Sequence, residues 1–471
     1  MKRTALMILL LTLPVAAAPP DRSLSFTKIW THSHTTPGQV SEIPAFDART
    51  NTVWVVGVVG VDVLNAATGA LVEHIDVGAY GLVNSVAIHN GLAALAIESK
   101  PNRRLPGVVV LYDTRTRSRI GDPITVGTLP DMLTFTHDGS KLLVANEGTP
   151  NAAADTAYSE PDPAGSVSII DVETRTVVAT AGFDGVAQFG DNLRTKAKVG
   201  MDFEPEYITV EKDGSRAFVT LQEANGIAVL DLTSNSFTEI IGLGAKDFSL
   251  PGNEFDPVDN DGKVEFINAN AKGLYMPDGV ASYNFRGNTY LVFANEGDYR
   301  EDNVDRSASG AAAPLNRLRV TKDGLPGLYA AGARSMSIRA SDGSMVYDSG
   351  SILDMEASKR GVYDDSRSRD KGVEPEGVAL LDIRGRTYAF IGLERTLSAT
   401  VAIFDVTDPY HPEFLDMIVT PSDVSPEGLA AFAYRGNYYL AIANEIPTPV
   451  TVPPTPSATA KTTLYRIDVS Q

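Results

Sequence analysis

The chain of 471 residues contains no cysteine. Without a thiol it can form neither a disulfide nor a thiolate metal site, and cysteine-based catalysis is excluded. A lipoprotein anchor is excluded too, because its lipid is attached to a cysteine. Basic residues are scarce: 40 Lys and Arg stand against 59 Asp and Glu, for a formal net charge of −19. Nucleic-acid binding is therefore disfavoured, since neutralising phosphates requires a basic surface.

Long apolar runs are also missing, apart from one at the start of the chain. Lys2 and Arg3 precede an apolar segment at 5–13, and small residues follow at 15–17. This order is typical of a secretory signal, and the apolar run is too short to cross a bilayer as a helix. The sequence predicts a signal peptide over 1–17 and a secreted or periplasmic mature chain over 18–471. No membrane anchor is visible in the sequence, and we expect a monomer.

Familiar catalytic motifs are absent as well. The sequence has no Gly-x-Ser-x-Gly elbow, no Walker loop and no Gly-x-Gly-x-x-Gly fingerprint. The six histidines are scattered, and only His32 and His34 lie close together. We expect these two to be exposed turn residues rather than zinc ligands. The sequence therefore assigns no catalytic residue and no organic cofactor.

What the sequence does contain is a repeat. Segment 276–301 reads as a turn, a strand, a tight polar turn, an apolar strand and then Asn-Glu-Gly-Asp. About seven copies of a four-strand pattern built on this unit follow one another, which is typical of a β-propeller. The last copy supplies three strands, and segment 24–30 would supply the fourth and close a seven-bladed ring. A stacked sandwich or two all-β domains is the alternative.

Insertions interrupt the repeat on one side only. They lie near 149–165, 184–203, 245–275, 298–334, 350–373 and 446–460, each after a second or fourth strand. The turns after first and third strands stay short. Because strands alternate in direction, all insertions should emerge on one face of a single propeller domain, and loops on a rigid scaffold carry function. We expect that face to hold the site.

Acidic residues recur at two positions of the repeat. The start of the first strand carries Glu42, Asn84, Asp131, Glu206, Asp278, Glu376 and Glu427, with Glu204 and Glu374 doubling two of them. The end of the second strand carries Glu98, Glu147, Glu223, Glu296, Glu394 and Glu445, with Asp298 just beyond. Both positions belong to the same face, so these side chains should meet at the mouth of the central channel.

Such a gathering of like charges requires compensation by protons, by Arg or Lys, or by a hard cation. Carboxylate and amide oxygens are ligands that Ca²⁺ and Mg²⁺ prefer. The sequence therefore predicts a divalent-cation site, with Ca²⁺ as the expected ion, drawing on Asp131, Glu147, Glu204, Glu206, Asp278, Glu296, Asp298, Glu374, Glu376, Glu394, Glu427 and Glu445. Arg300 and Arg395 would neutralise part of the cluster or contact a phosphate. A purely structural role in turns and at strand ends is the alternative.

A second acid-rich loop contains Asp256, Asp259 and Asp261. It partly matches a calcium loop, but Pro257 occupies the first ligand position and no Glu stands at the twelfth. We treat it as a secondary metal loop, with a solvated surface loop as the alternative.

Segments 131–148, 204–232 and 276–301 resemble the choice-of-anchor I family of bacterial secreted proteins. The family is related to the mesenchyme-specific cell-surface glycoproteins. The resemblance implies a seven-bladed propeller, export and a binding or mineral-interaction role. Some relatives are labelled alkaline phosphatases, which implies a metal-dependent phosphoesterase as the second hypothesis. A protein-interaction scaffold is the third. The expected partners are divalent cations, and phosphate esters or an extracellular protein.

Overall fold

The structure is a computed structural model that describes residues 23–153, 157–159, 162–195, 203–300, 302–445 and 459–470. The predicted signal peptide and most of the insertion at 446–460 lie outside the described residues. Strands dominate the rest, and the all-β prediction is confirmed. The described residues form seven sheets of at least four strands, antiparallel except for one added strand in sheet 4 and numbered here by the chain order of their first strands.

The four main strands of sheets 1 to 6 follow chain order from the first strand outwards, and sheet 7 adds the N-terminal strand after its three strands in chain order. Sheets 1 to 4 comprise, in turn, Pro44–Asp47, Thr52–Gly57, Gly60–Asn65 and Leu71–Asp76; Leu82–His89, Leu92–Glu98, Pro106–Asp113 and Arg119–Thr128; Pro130–Phe135, Lys141–Asn146, Ser166–Asp171 and Thr176–Ala181; and Ile208–Val210, Arg216–Leu221, Gly226–Asp231 and Ser236–Leu243. Sheets 5 to 7 comprise Val280–Phe285, Asn288–Asn295, Ser335–Ala340 and Met345–Asp348; Pro375–Ile383, Arg386–Leu393, Ala399–Asp405 and Glu413–Thr420; and Pro426–Tyr434, Asn437–Asn444, Lys461–Val469 and Leu24–Ser33.

Sheet 7 joins the two ends of the described chain. Its fourth strand, Leu24–Ser33, pairs antiparallel with the third strand, Lys461–Val469. Trp30 of that strand packs with Leu464 of sheet 7 and with Val53 and Leu64 of sheet 1. The Trp30 indole N–H also donates to the Ala66 carbonyl at 2.9 Å. The N-terminal strand thus contacts both the last sheet and the first.

Apolar clusters fill the spaces between consecutive sheets. Phe218 and Val229 of sheet 4 meet Leu291 and Phe293 of sheet 5, and the same arrangement recurs between each consecutive pair and between sheets 7 and 1. Burying such side chains stabilises the fold by roughly 25 cal/mol per Å² of apolar surface. Sheets that each bury both faces against two neighbours are the arrangement of propeller-like folds.

The tight turns after several first strands have a local cause. Sheets 5, 6 and 7 each connect their first two strands by an Arg-Gly pair, and in sheet 5 both Arg286 and Gly287 have positive φ angles of 50° and 84°. A two-residue turn with positive φ at both positions matches the right-handed twist of the strands it joins. Because these turns are short, the face opposite the insertions has no long connections at these positions.

Glycine allows the first strands of sheets 5, 6, 7 and 1 to approach one another closely. The glycine after each acid in Pro-Asp-Gly and Pro-Glu-Gly lies against the backbone carbonyl of the next sheet's acid. Gly428 N–H donates to the Glu42 carbonyl at 2.9 Å, and Gly279 N–H donates to the Glu376 carbonyl at 3.2 Å. A Cβ on Gly428 would lie 2.4 Å from the Glu42 oxygen. The motif therefore sets the spacing of the acids as well as forming a turn.

We predict that Gly428→Ala lowers the free energy of unfolding by about 1–3 kcal/mol, as overpacking of a tight backbone contact does. The contact joins sheet 7 to sheet 1, so the loss reports on that junction. The measurement is urea denaturation followed by tryptophan fluorescence. The matched control is Gly182→Ala, where a Cβ meets nothing within 4 Å and should leave stability unchanged. Equal midpoints for the two variants would contradict the close approach.

The insertions contain regular elements, which the sequence did not indicate. Segment 184–203 holds Ala187–Asp191, a fifth strand of sheet 4 that runs parallel to Ser236–Leu243. Segment 350–373 holds the helix Ile352–Lys359, whose Leu353 and Ala357 are buried. The remaining elements are the strands Asn151–Ala153, Ala157–Ser159, Ala245–Asp247, Lys272–Leu274, Arg306–Ala308, Arg319–Thr321 and Tyr329–Ala330, the helix Asp302–Asp305, and the 3-10 turns Leu315–Arg317 and Asp365–Arg367. None of the helices in the described residues is long and apolar enough to span a membrane.

Candidate functional site

Both sets of acidic residues contribute to one cavity of about 480 Å³. Twelve carboxylates line it, against three basic side chains. The acidic lining residues are Glu42, Asp131, Glu147, Glu206, Glu223, Asp278, Glu296, Asp298, Glu376, Glu394, Glu427 and Glu445, and the basic ones are Arg103, Lys371 and Arg395. Ten of the twelve predicted metal ligands are therefore brought together. Glu204 and Glu374 are buried behind the lining.

Strand direction explains why the two sets meet. The first set stands at the starts of first strands, and the second set stands at the ends of second strands, which run antiparallel to the first. The first strand of each sheet also contacts the first strand of the next, in the order of the sheets and back from sheet 7 to sheet 1. We call the first-strand carboxylates the inner acids: Glu42, Asp131, Glu206, Asp278, Glu376 and Glu427. We call the other acids of the two sets the outer acids: Glu98, Glu147, Glu223, Glu296, Glu394 and Glu445 at the ends of second strands, with Asp298, Glu204 and Glu374.

Several outer acids have basic partners. Glu98 pairs with Arg103 at 3.3 Å, and Glu394 pairs with Arg395 at 2.6 Å. Arg300 lies 2.9 Å from Glu204 and 2.8 Å from Asp162. Lys371 Nζ lies 2.7 Å from Glu296 and 2.9 Å from Glu374, and Glu374 also contacts Arg367 at 2.5 Å. Much of the outer charge is thus compensated within the protein.

The inner acids have no such partners. Within the described part of the chain, none of the six forms an ion pair with a Lys or Arg. Burial and then the neighbouring carboxylates raise the pKa of Glu427 to about 8. Burial raises the pKa of Asp131 to about 6, although Arg103 opposes it. The pKa values of Glu42, Glu206, Asp278 and Glu376 are raised well above the usual range for the same two reasons. At neutral pH several inner acids must hold protons or bind a cation.

Lys371 is the functional residue that sequence reasoning missed. Its side chain is buried between Glu296, Asp298 and Glu374. Burial opposes the ionisation of Glu374, but Lys371 and Arg367 outweigh it and hold the pKa of Glu374 at about 2. Glu296 also pairs with Lys371, which lowers its pKa. Burial and the nearby carboxylates Asp298 and Glu394 outweigh that effect and raise the pKa of Glu296 to about 7. A lysine three residues before a Glu-Pro-Glu motif was the available signal.

Three groups of carboxylates in the lining or just behind it lie close enough to share a metal ion, with ligand atoms within 4.8 Å of one another. They are Asp278, Glu296 and Glu376; Glu296, Glu374 and Glu394; and Glu376, Glu394 and Glu427. Glu376 belongs to two groups, and its Oε2 has no hydrogen-bond partner in the described structure. Glu223 Oε2 is also buried without a partner, on a residue that is 8% exposed. Unpartnered buried oxygens are costly, and a hard cation suits them as a ligand set.

The two arginines predicted to contact an anion, Arg300 and Arg395, occupy different positions relative to the cavity. Arg395 lines the cavity, whereas Arg300 stands behind it and is held by Glu204 and Asp162. Burial lowers the pKa of each guanidinium less than its carboxylate partners raise it, so both remain charged. Neither arginine presents an uncompensated charge to the cavity.

None of the three carboxylates of the secondary loop lines this cavity. Asp259 pairs with Arg317 at 2.8 Å and with Arg369 at 3.3 Å. Asp256 accepts from the Ser368 hydroxyl at 3.1 Å, and Asp261 accepts from its own loop at Lys263 N. The three carboxylates do not form a metal-sized group among the described residues. Two arginines already supply positive charge there, and calcium binding by this loop stays a prediction.

Comparison with known proteins gives one family. A family model for the choice-of-anchor I domain matches residues 42–409. No curated protein matches the chain. Among solved structures, a chain of the Kuenenia stuttgartiensis hydrazine synthase is similar with a TM-score of 0.48 and 12% sequence identity, covering 87% of this chain and 94% of that one.

Proposed function

The chain belongs to the choice-of-anchor I family, and from that premise we propose that it is a secreted, seven-bladed β-propeller that binds Ca²⁺ at the inner acids. Glu376 is the central ligand, because it stands in both carboxylate groups that contain inner acids. Asp278 and the outer acid Glu296 complete one group, and Glu427 and the outer acid Glu394 complete the other. The bound ion supplies the positive charge that the inner acids lack.

One observation carries this proposal. The protein neutralises several of its outer acids with arginine and lysine but leaves all six inner acids, together with the outer acids Glu147, Glu223 and Glu445, without a basic partner in the described structure. A group of buried like charges without compensation is unfavourable. Selective omission of compensation around one cavity is what a site for an exchangeable cation requires.

The ring itself rests on contacts between consecutive sheets. Seven apolar clusters each span two neighbouring sheets, and the last one spans sheets 7 and 1. The pairing of Leu24–Ser33 with Lys461–Val469 gives sheet 7 its fourth strand. These contacts support seven blades closed by the N-terminal strand, and family membership supports an extracellular or cell-surface location.

Calcium is preferred over a transition metal because every donor in the cavity groups is a carboxylate oxygen. Binding is preferred over phosphoester hydrolysis because hydrolysis needs free positive groups for the phosphate. Arg300 and Arg395 are each committed to a glutamate. The cavity therefore fits a cation with its water better than it fits a phosphorylated substrate.

We predict that Ca²⁺ raises the melting temperature of chelator-treated protein and that the shift is larger at pH 8 than at pH 6. The raised carboxyl pKa values mean that the folded protein binds more protons than the unfolded chain between pH 4.5 and about 8, the range set by Glu427. Stability without the cation therefore falls as pH rises through that range. Calcium relieves this loss and stabilises the folded state.

Calorimetry supplies the second measurement. Calcium must displace protons from the inner acids, so the apparent binding enthalpy at pH 7 should change with the protonation enthalpy of the buffer. Identical melting curves with calcium and with chelator, together with no binding heat, would refute calcium binding at this cavity.

A further inference from the structure

A second cluster of titratable side chains, none of which lines the acidic cavity, lies at the junction of sheets 7 and 1. His32 lies on the N-terminal strand and His34 follows its end, while Asp62 and His74 are cross-strand partners in sheet 1. The sequence indicated exposed turn positions for the two N-terminal histidines. That prediction is wrong for His34, which is 3% exposed, and Asp62 is 1% exposed. Closing the first sheet against the last buries both.

The hydrogen bonds of the cluster are specific. His34 Nδ1 and His74 Nδ1 each lie 2.6 Å from a different oxygen of Asp62. His34 Nε2 lies 2.8 Å from the Thr462 hydroxyl, and His32 Nδ1 lies 3.0 Å from the Gly69 carbonyl. The rings of His32 and His34 meet edge to face with centroids 5.0 Å apart. One ligating atom from each of His32, His34 and Asp62 falls within 4.8 Å of the others.

These partners are the ones that a metal-binding histidine needs. A carbonyl can only accept, so the Gly69 contact places the hydrogen of His32 on Nδ1 and leaves the Nε2 lone pair available. His34 Nδ1–H donates to the Asp62 carboxylate, which can only accept. Metal binding at Nδ1 would move that hydrogen to Nε2, where the Thr462 hydroxyl can accept it. Metal-bound histidines characteristically donate their other N–H to a carbonyl, hydroxyl or carboxylate, which fixes the ring. His74 donates to the second oxygen of Asp62 and holds that carboxylate in the same way.

We infer that His32, His34 and Asp62 form a site for a borderline transition metal such as Zn²⁺, with Thr462, Gly69 and His74 orienting the three ligands. Two imidazole nitrogens and one carboxylate oxygen are the donor set that zinc accepts, with a water molecule completing a tetrahedron. Ligands about 2.0–2.2 Å from zinc are themselves a little over 3 Å apart. The His34–Asp62 contact therefore opens slightly on binding, while His32 moves inwards.

The site would fasten the N-terminal strand to its neighbour. His32 and His34 belong to the strand that completes sheet 7 and to the residue after it, whereas Asp62 belongs to sheet 1. Metal binding would add a bond across the junction of the two sheets, where Trp30 and Ala66 already meet. This role does not depend on calcium binding at the acidic cavity, since the two sites have different donors.

The test is zinc binding by the full chain with Ca²⁺ in excess, so that the acidic cavity is occupied. We expect one zinc ion per protein by equilibrium dialysis and elemental analysis, and a rise of a few degrees in melting temperature. His32→Gln should lower zinc affinity at least about 10-fold, because it removes one of three protein ligands. His411→Gln, an exposed histidine paired with Asp408, is the matched control and should bind zinc as the wild type does.

Cobalt substitution gives a readout that does not depend on a variant. Wild-type protein loaded with Co²⁺ should show the intense visible bands of a tetrahedral ion with nitrogen ligands, and His32→Gln should lose them. Absence of those bands in the wild type would overturn the inference. An unchanged zinc count in His32→Gln, or a count that falls only when cavity glutamates are replaced, would overturn it as well.

Discussion

Replacing Glu376 and Glu427 together by glutamine is expected to lower the affinity of the acidic cavity for Ca²⁺ by at least about 100-fold. The two carboxylates belong to one metal-sized group, and Glu376 also belongs to a second. Each lost contact between a charged oxygen and its partner costs about 1.5–3 kcal/mol, which is roughly 10-fold or more in the dissociation constant. Isothermal titration calorimetry at pH 7.5 measures the change directly.

The same double variant should change stability in the opposite direction when no cation is present. Glutamine has the shape of a protonated glutamate, and the raised pKa of both residues shows that the folded protein favours the neutral form. The melting temperature in chelator should therefore rise, while the shift caused by calcium disappears. Glu173→Gln with Glu413→Gln removes two exposed carboxylates and is the matched control. If the double variant bound calcium as tightly as the control, the proposal that the inner acids bind calcium would be wrong.

The strands and the acid positions could be predicted from the sequence because both depend on short-range regularity. A four-strand pattern with a period-two alternation identifies a strand wherever it occurs, and the acids hold fixed places in that pattern. Ala187–Asp191 was missed because it lacks β-branched residues and pairs only along the outer edge of sheet 4. The helix Ile352–Lys359 was missed because its amphipathic pattern is short and largely polar.

The sequence predicted that Arg300 and Arg395 neutralise part of the acidic cluster, but it did not indicate which acids would be compensated. Arg300 and Lys371 come from the insertions at 298–334 and 350–373, which have no periodic pattern to place them. The same holds for the junction of sheets 7 and 1, where His34 and Asp62 meet only because the two sheets are in contact. The repeat positions the acids, and basic residues in the insertions, such as Lys371, and at strand ends, such as Arg395, determine which acids are compensated.

Lys371→Met is expected to lower the free energy of unfolding by about 3–5 kcal/mol, because it leaves Glu296 without its basic partner in a buried place. Glu374 loses one of two cationic partners and keeps Arg367. A methionine fills much of the lysine volume, so the loss reports on charge rather than on a void. Urea denaturation in the presence of chelator is the measurement.

Calcium should stabilise this variant more than it stabilises the wild type. Glu296, Glu374 and Glu394 form a metal-sized group around the position that the lysine occupies, so a divalent cation can take over its role. Lys359→Met removes an exposed lysine that pairs with Glu356 on the helix surface, and its effect should stay within about 0.5 kcal/mol. If Lys371→Met were as stable as this control and no more responsive to calcium, Lys371 would not be the internal cation that neutralises the outer acids. The inner acids are proposed to bind an exchangeable ion because residues such as Lys371 serve only the outer ones, and this comparison tests that distinction.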